Sequence, residues 1–239
     1  MTSRIVYLTG ADRTDGDEVA GIERACLEVI AGLSERREPV MTTHVIDRMR
    51  KQFAPPSLVL ALRRLEQKRL ITCDDTGMIG LTDEGHVAGM RILRRRRLLE
   101  RFLFDTLKVP WHEVYREAKH LEPLLSAVME ARIEALTADA TTCPYGNPVP
   151  GRSDVSPDEC VLVTAPINAW FVVTRIDEEA GEDSCALQFL WTRGLRPGVP
   201  LVRRPDACDG LVVQRADRRI VLSRRMAHFL WGRSKRSEG

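Results

Sequence analysis

The fold is decided by the stretch that opens with Leu81-Thr82-Asp83-Glu84-Gly85. It continues through Arg97-Leu98-Leu99-Glu100-Arg101 and Arg116-Glu117-Ala118-Lys119-His120-Leu121-Glu122-Pro123. It closes with Cys143-Pro144-Tyr145-Gly146-Asn147-Pro148-Val149-Pro150-Gly151. Thr82, Asp83 and Glu84 carry the signature of a helix start, and the spacing predicts a long helix to about Leu107. Its expected apolar stripe is Val87, Met90, Leu93, Leu98, Phe102 and Leu103. Pro110-Trp111 interrupts it. A second helical stretch, Trp111 to Leu136, holds Pro123 near its middle. The residue before a proline disfavours the helical backbone, so two helices are predicted there. Ala138 to Pro157 is rich in Thr, Pro, Gly and Ser and reads as a linker.

On the amino-terminal side, Ile22, Cys26, Val29, Ile30 and Leu33 recur at helical spacing, which predicts a helix from Asp17 to Ser34. Arg37-Glu38-Pro39 ends it. Thr43 is placed to cap a second helix, His44 to Arg50. Pro56-Ser57 suits the start of a third, Ser57 to Lys68. Leu70 to Cys73 and Met78 to Leu81 read as strands around the turn Asp74-Asp75-Thr76-Gly77. Three helices and a small hairpin make the plan of a winged helix-turn-helix. The run Ile5-Val6-Tyr7-Leu8 reads as an added strand or a docking arm.

Beyond the linker the pattern changes to short strands: Glu159 to Val163, Trp170 to Ile176, Val199 to Val202, Gly210 to Gln214 and Arg219 to Leu222. Only Cys185 to Thr192 reads as helix there, and Gly194 to Gly198 as a turn. Short strands with regular turns suggest a small barrel.

The chain has 239 residues, 44% hydrophobic and 29% charged, enough for a soluble protein of one large or several small domains. No apolar run reaches the roughly 18 residues a membrane span needs. Met1 to Asp15 lacks the pattern of a secretory leader, so the cytoplasm is expected. The six cysteines (Cys26, Cys73, Cys143, Cys160, Cys185, Cys208) form no C-x-x-C pair and read as buried small hydrophobes. The net charge of +2 says little, but Arg48, Arg50 and Lys51, Arg63 and Arg64, and Arg94 to Arg97 form local basic clusters. Each can meet DNA phosphates or be a solvated helix face. No G-x-S-x-G, H-E-x-x-H or P-loop occurs, so no enzyme is expected.

The order and spacing of the motifs in Leu81–Gly151 resemble the iron- and manganese-dependent repressors of the diphtheria toxin repressor family. The resemblance implies an α+β protein: an N-terminal winged helix-turn-helix at 17–84, a helical dimerisation domain at 85–140, a linker at 141–157 and a C-terminal SH3-like (FeoA-like) small β-barrel at 158–232. An extension (1–16) and a tail (233–239) flank them. It further implies a homodimer on double-stranded operator DNA that controls metal-homeostasis genes. Arg219 to Trp231 matches the closing strand-plus-turn of the SH3-like domain.

Metal ligands of the family's main site map to Ala25, Lys119, Glu122 and Pro123, of which only Glu122 can hold a metal. Those of its second site map to Arg96, Glu100, Tyr115 and Glu178, where Glu100 and Glu178 survive. Iron(II) or manganese(II) would bind if such a degenerate site still works. Two readings stand side by side: an ion-pair replacement of the metal, with Arg96 linking Glu100 to Glu178 and Lys119 standing at the main site, or drift after sensing was lost. A relocated site from Cys26, His120 and Glu122 is a third.

For DNA, the resemblance puts Thr42, Thr43, His44, Arg48, Arg50, Lys51, Pro56, Ser57, Val59, Leu60, Arg63 and Arg64 at the interface. The family usually has glutamine where Leu60 stands. Val59 and Leu60 would touch thymine methyls while the cations hold phosphates. Alternatively, Leu58, Val59 and Leu60 form a protein-interaction surface that no longer reads DNA.

Overall fold

The computed structural model describes residues 15–36, 39–207 and 210–235. The Ile5–Leu8 run, Arg37-Glu38, Cys208 and the end of the tail lie outside the described residues. The chain divides into two compact units, the first ending at Gly89 and the second starting at Met90.

The first unit holds α1 (Asp15–Ser34), β1 (Val40–Met41), α2 (Thr42–Met49), α3 (Pro55–Gln67), β2 (Ile71–Cys73), β3 (Met78–Leu81) and the first turns of α4 (Asp83–Asp105). Its antiparallel sheet has the order β1-β3-β2, a winged helix-turn-helix. Ile22, Cys26 and Ile30 of α1 pack in a core with Leu58, Leu62 and Leu65 of α3. Helix α3 starts earlier than expected, because Pro55 and Pro56 occupy its first turn, where a missing N–H has no intrahelical partner to lose. Thr43 does not cap α2. That helix begins at Thr42, whose hydroxyl donates to the Gly77 carbonyl at 2.8 Å and ties the helix start to the wing turn. The turn is held by Asp74 Oδ1, which accepts from the backbone of Thr76 and Met78, both at 2.9 Å. The hydrogen bonds from Thr76 and Met78 lower the pKa of Asp74. A side chain at Gly85 would place its Cβ 1.7 Å from the Leu70 carbonyl oxygen, so only glycine admits this approach of α4 to the hairpin.

The expected stripe on α4 needs correction. Val87 is 69% exposed, while Gly85, Gly89, Ile92, Leu93, Arg96, Leu99, Glu100 and Leu103 face inward. Residues 85 and 89 are one turn apart and Val87 lies on the opposite side.

The second unit continues with α5 (Trp111–Leu121), a 3-10 turn (Glu122–Leu124) and α6 (Ala127–Leu136), split at Pro123 as expected. Then come β4 (Glu159–Val161), a 3-10 turn (Leu162–Thr164), β5 (Trp170–Ile176), a 3-10 turn (Glu178–Glu182), α7 (Ser184–Thr192), β6 (Pro200–Ala207), β7 (Gly210–Arg215), β8 (Arg218–Leu222), α8 (Arg224–His228) and β9 (Leu230–Lys235). The strands form one antiparallel SH3-like sheet of six, in the order β4-β9-β5-β6-β7-β8. Strand β6 runs past Val202 because the register shifts between Arg204 and Ala207, which accommodates Pro205. Helix α8 was not expected, and residues 233–235 belong to β9 rather than to a tail.

The linker reading of 141–157 gives way. Cys143, Tyr145 and Val149 are buried in the core that Trp111, Val114 and Tyr115 of α5 share with Phe171, Val173 and Leu187. Tyr145 accepts from the Tyr115 amide at 2.9 Å and donates to the Trp111 carbonyl at 2.6 Å. Sheet and helices α5 and α6 therefore share one hydrophobic core.

Candidate functional site

Successive residues of a helix point about 100° apart, so Arg94 to Arg97 of α4 reach in four directions. None of the four is a free surface cation. Arg96 and Arg97 are 2% and 1% exposed, which overturns the reading of this run as a phosphate-binding patch.

Arg96 lies between two carboxylates. Its Nη2 is 2.5 Å from Glu178 Oε1, and its Nε is 3.5 Å from Glu100 Oε1, an ion-pair contact without hydrogen-bond alignment. Its Nη1 donates to the Tyr115 hydroxyl at 3.0 Å, and the guanidinium lies 4.9 Å over the Tyr115 ring. Arg97 donates to the same Glu178 oxygen through Nε (3.1 Å) and Nη2 (2.8 Å), and through Nη1 to the Pro148 carbonyl at 2.6 Å. Glu178 opens a 3-10 turn whose preceding residue, Asp177, accepts from the Glu179 amide at 2.8 Å. Three residues on, Gly181 lets the Tyr115 ring lie flat on the backbone: a Cβ there would stand 2.3 Å from the ring.

The two carboxylates respond oppositely. Burial pushes the Glu100 carboxyl up to about 7, with Arg96 opposing and Glu178 adding to the rise. Burial acts in the same direction on Glu178, but Arg96 and Arg97 together overcome it and hold that carboxyl well below the usual range. Cys143 is pushed well up by burial and then by Glu100, so it is a neutral thiol hydrogen-bonded to Glu100.

Glu122 is buried and met by Arg95, whose Nε stands 3.1 Å from it and 3.4 Å from Glu130. Arg95 Nη2 also donates to the Leu125 carbonyl at 3.0 Å. Arg94 pairs with Glu134. Lys119 pairs with Glu182, whose carboxylate also accepts from the Tyr115 hydroxyl at 3.4 Å.

These residues do not fit a divalent cation. Glu100 and Glu178 converge on a space that the Arg96 guanidinium fills, and a second cation there would meet Coulomb repulsion from Arg96 and Arg97. Glu122 is engaged by Arg95, and Pro123 offers no side-chain donor. Among the described residues no group of three or more His, Cys, Asp or Glu side chains converges as a metal cage. Cys26 is buried in the first unit, its thiol pushed up to about 12 by burial and then by Glu23. His120 is exposed in the second unit.

In the first unit, Thr43, His44, Arg50, Lys51, Pro56, Val59, Leu60 and Arg63 are exposed, and Thr42, Arg48, Ser57 and Arg64 are half-buried. Arg64 stands 3.8 Å from the buried Glu23, which Lys68 also bridges, and Arg50 pairs with Asp47 at 3.7 Å. Leu58 is fully buried, so it leaves the proposed apolar contact surface.

Sequence reasoning missed Arg95, Arg97, Cys143, Glu182 and the Pro148 carbonyl. The available signal was the position of Arg96 and Arg97: four arginines interrupt the apolar period of α4 between Leu93 and Leu98, where a helix face must already be inside.

Comparison with known proteins accords with this architecture. A family model described as the iron dependent repressor, metal binding and dimerisation domain matches residues 82–151. The chain is 26% identical over 214 residues to the iron-dependent repressor IdeR of Mycobacterium leprae, covering 84% of this chain and 92% of that one. It is 28% identical over 135 residues to IdeR of Mycobacterium tuberculosis, covering 56% of this chain and 58% of the relative. A solved manganese-dependent transcriptional repressor in complex with manganese superposes with a TM-score of 0.75 at 26% identity, over 89% of this chain and 100% of the other. By its central segment, its relatives and its fold, the chain is similar to the iron- and manganese-dependent repressors of the diphtheria toxin repressor family.

Proposed function

We propose that the protein is a homodimeric regulator that binds operator DNA through α2 and α3, controls metal-homeostasis genes, and needs no metal ion to do so. The observation that carries this reading is the Arg96 guanidinium, which joins Glu100 to Glu178 with a fixed charge. A buried arginine between two carboxylates links α4 to the 3-10 turn of Glu178 at every metal concentration. Arg95 does the same for Glu122 and Glu130. Exposed Thr43, His44, Arg50, Lys51 and Arg63 supply phosphate contacts, and Val59 and Leu60 supply apolar ones for thymine methyls. Leu121, Leu124, Val128 and Met129 form an exposed apolar strip suited to a two-fold contact between copies.

Genome-wide footprinting of the tagged protein, with and without a chelator, tests this. The same sites, occupied equally in both conditions, are expected. Footprints that vanish with chelator, or a micromolar stoichiometric Mn(II) site in calorimetry, overturn the metal-independent reading. The exposure of Val59 (37%) and Leu60 (46%) also supports a second reading, a protein-interaction surface in place of DNA contact. Binding to promoter DNA that weakens steeply with salt separates the two.

A further inference from the structure

The outer face of the SH3-like sheet carries cations around an exposed indole. Strand register sets Lys235 of β9 beside Trp170 of β5, and Arg233 beside Val172. Across the sheet, Val202 of β6 pairs with both Trp170 and Gln214, and Gln214 of β7 pairs with Arg219 of β8. Arg204 shares the face of Val202. Side chains alternate along each strand, so these residues share one face. The opposite face is the core, with Phe171, Val173, Leu201, Val213, Ile220 and Leu222.

Trp170 is 52% exposed; Lys235 and Arg233 are exposed beside it on β9, and Arg219 is exposed on the same face three strands away on β8. Arg204 is oriented by neutral acceptors, Gln214 Oε1 at 2.9 Å and Asn168 Oδ1 at 3.2 Å, which leave its charge intact. The carboxylates at the margins are engaged: Glu159, opposite Arg233, with Arg175 at 2.8 Å, and Asp206 with Arg203 at 3.0 Å. Asp217 sits in the β7–β8 turn, next to Arg218.

We propose that this face is a second nucleic-acid contact, gripping the sugar–phosphate backbone of duplex DNA without reading its sequence. The partner must be anionic, because the face has cations and the marginal carboxylates Glu159 and Asp206 are already paired with arginines. It must be extended, because the cations run from β9 to β8, four strand spacings or about 19 Å. Three of the four cations are arginines, whose forked donors match phosphate oxygens. Duplex DNA offers such an array of fixed charges, one per about 1.7 Å of helix axis. The Trp170 indole lies amid these cations, where it can pack on sugar between phosphates.

The test uses the full chain and a random-sequence duplex of about 25 base pairs, with anisotropy read across about 50–200 mM salt. The variant carries Arg204→Gln, Arg219→Gln, Arg233→Gln and Lys235→Gln. Each lost phosphate contact flattens the salt slope by about 0.9, so a flattening of about 3.6 and at least a tenfold weaker affinity at the low-salt end are expected. Trp170→Phe should abolish the emission change on adding duplex, the other three tryptophans remaining. If the quadruple variant melts early, the exposed singles Arg219→Gln, Arg233→Gln and Lys235→Gln should each flatten the slope by about 0.9. An unchanged slope in folded variants overturns the proposal and leaves the α2–α3 reading standing. Tighter binding of single strands, of anionic vesicles or of poly-glutamate through Trp170 also overturns it.

Discussion

Arg96 Nη2 and Glu178 Oε1 stand 2.5 Å apart with almost no access to water, and Arg97 shares the same oxygen. One carboxylate thus serves two guanidiniums, while Glu100 faces Arg96 at 3.5 Å and carries a raised pKa. The two carboxylates are unequal partners. Glu178 is held as an anion, whereas Glu100, its pKa raised to about 7, is about half protonated at pH 7.

That inequality predicts unequal mutational costs at pH 7. Glu178→Gln leaves two buried guanidiniums without their shared anion and should destabilise by about 3–5 kcal/mol, the usual loss when one member of a buried pair is removed. Glu100→Gln replaces a group already about half protonated at that pH with a neutral one of the same shape. It should cost less than about 1.5 kcal/mol, near one neutral hydrogen bond. Urea denaturation of both variants measures the difference, and equal losses would contradict the assignment of charge.

The same asymmetry fixes a pH dependence. The folded pKa of Glu100 lies above its unfolded value, near 4.5, so the native state binds the extra proton between them. Stability from this residue is therefore fully present below about 4.5 and falls as pH rises towards about 7. Glu178 runs the other way: its folded pKa is depressed, so its contribution is present above about 4.5 and is lost as pH drops below that. Relative to Glu100→Gln, the wild type should lose roughly 2–3 kcal/mol between pH 4.5 and 7. Denaturation at five or six pH values gives this difference directly; a flat one would place the Glu100 pKa at its ordinary value.

Gly181 offers a steric test of the same site. A methyl group there meets the Tyr115 ring at 2.3–2.5 Å, and the ring is also pinned by Arg96 and Tyr145. Gly181→Ala should destabilise by about 1–3 kcal/mol, as overpacked cores do. The double variant with Tyr115→Ala should recover the clash part of that loss. If Gly181→Ala melts like the wild type, the ring does not lie on this backbone.

The winged helix was legible because its elements are local: a periodic α1, prolines at the start of α3, and the Asp74–Gly77 turn between two short strands. The strands of the second unit were legible for the same reason, from β-branched runs between turns. The segment 141–157 misled because Thr, Pro and Gly mark irregular backbone, and irregular backbone need not be exposed; Tyr145 and Val149 are core residues on a path with little regular structure. Part of the candidate site followed from mapping Arg96, Glu100 and Glu178 onto one place. The rest was hidden because Arg97 and Glu178 are 81 residues apart, and a run of arginines looks like a solvated face until its carboxylates are located.

The α2–α3 surface yields a prediction that joins stability to recognition. Leu58 and Leu60 sit two residues apart on α3, yet Leu58 is fully buried and Leu60 is 46% exposed. Leu58→Ala should therefore destabilise the first unit by about 2–5 kcal/mol through the cavity it leaves. Leu60→Gln alters a half-exposed side chain and should leave the melting temperature within about 2 °C, since surface substitutions stay within roughly 0.5 kcal/mol. In footprinting, Leu60→Gln should alter which base pairs are preferred, because an amide can address adenine where an isobutyl group meets only a thymine methyl. Arg63→Gln should instead weaken binding to all sequences alike and flatten the salt slope by about 0.9. Identical sequence preferences for Leu60→Gln and the wild type would mean that this leucine does not face base edges, and would shift weight to the protein-contact reading of α3.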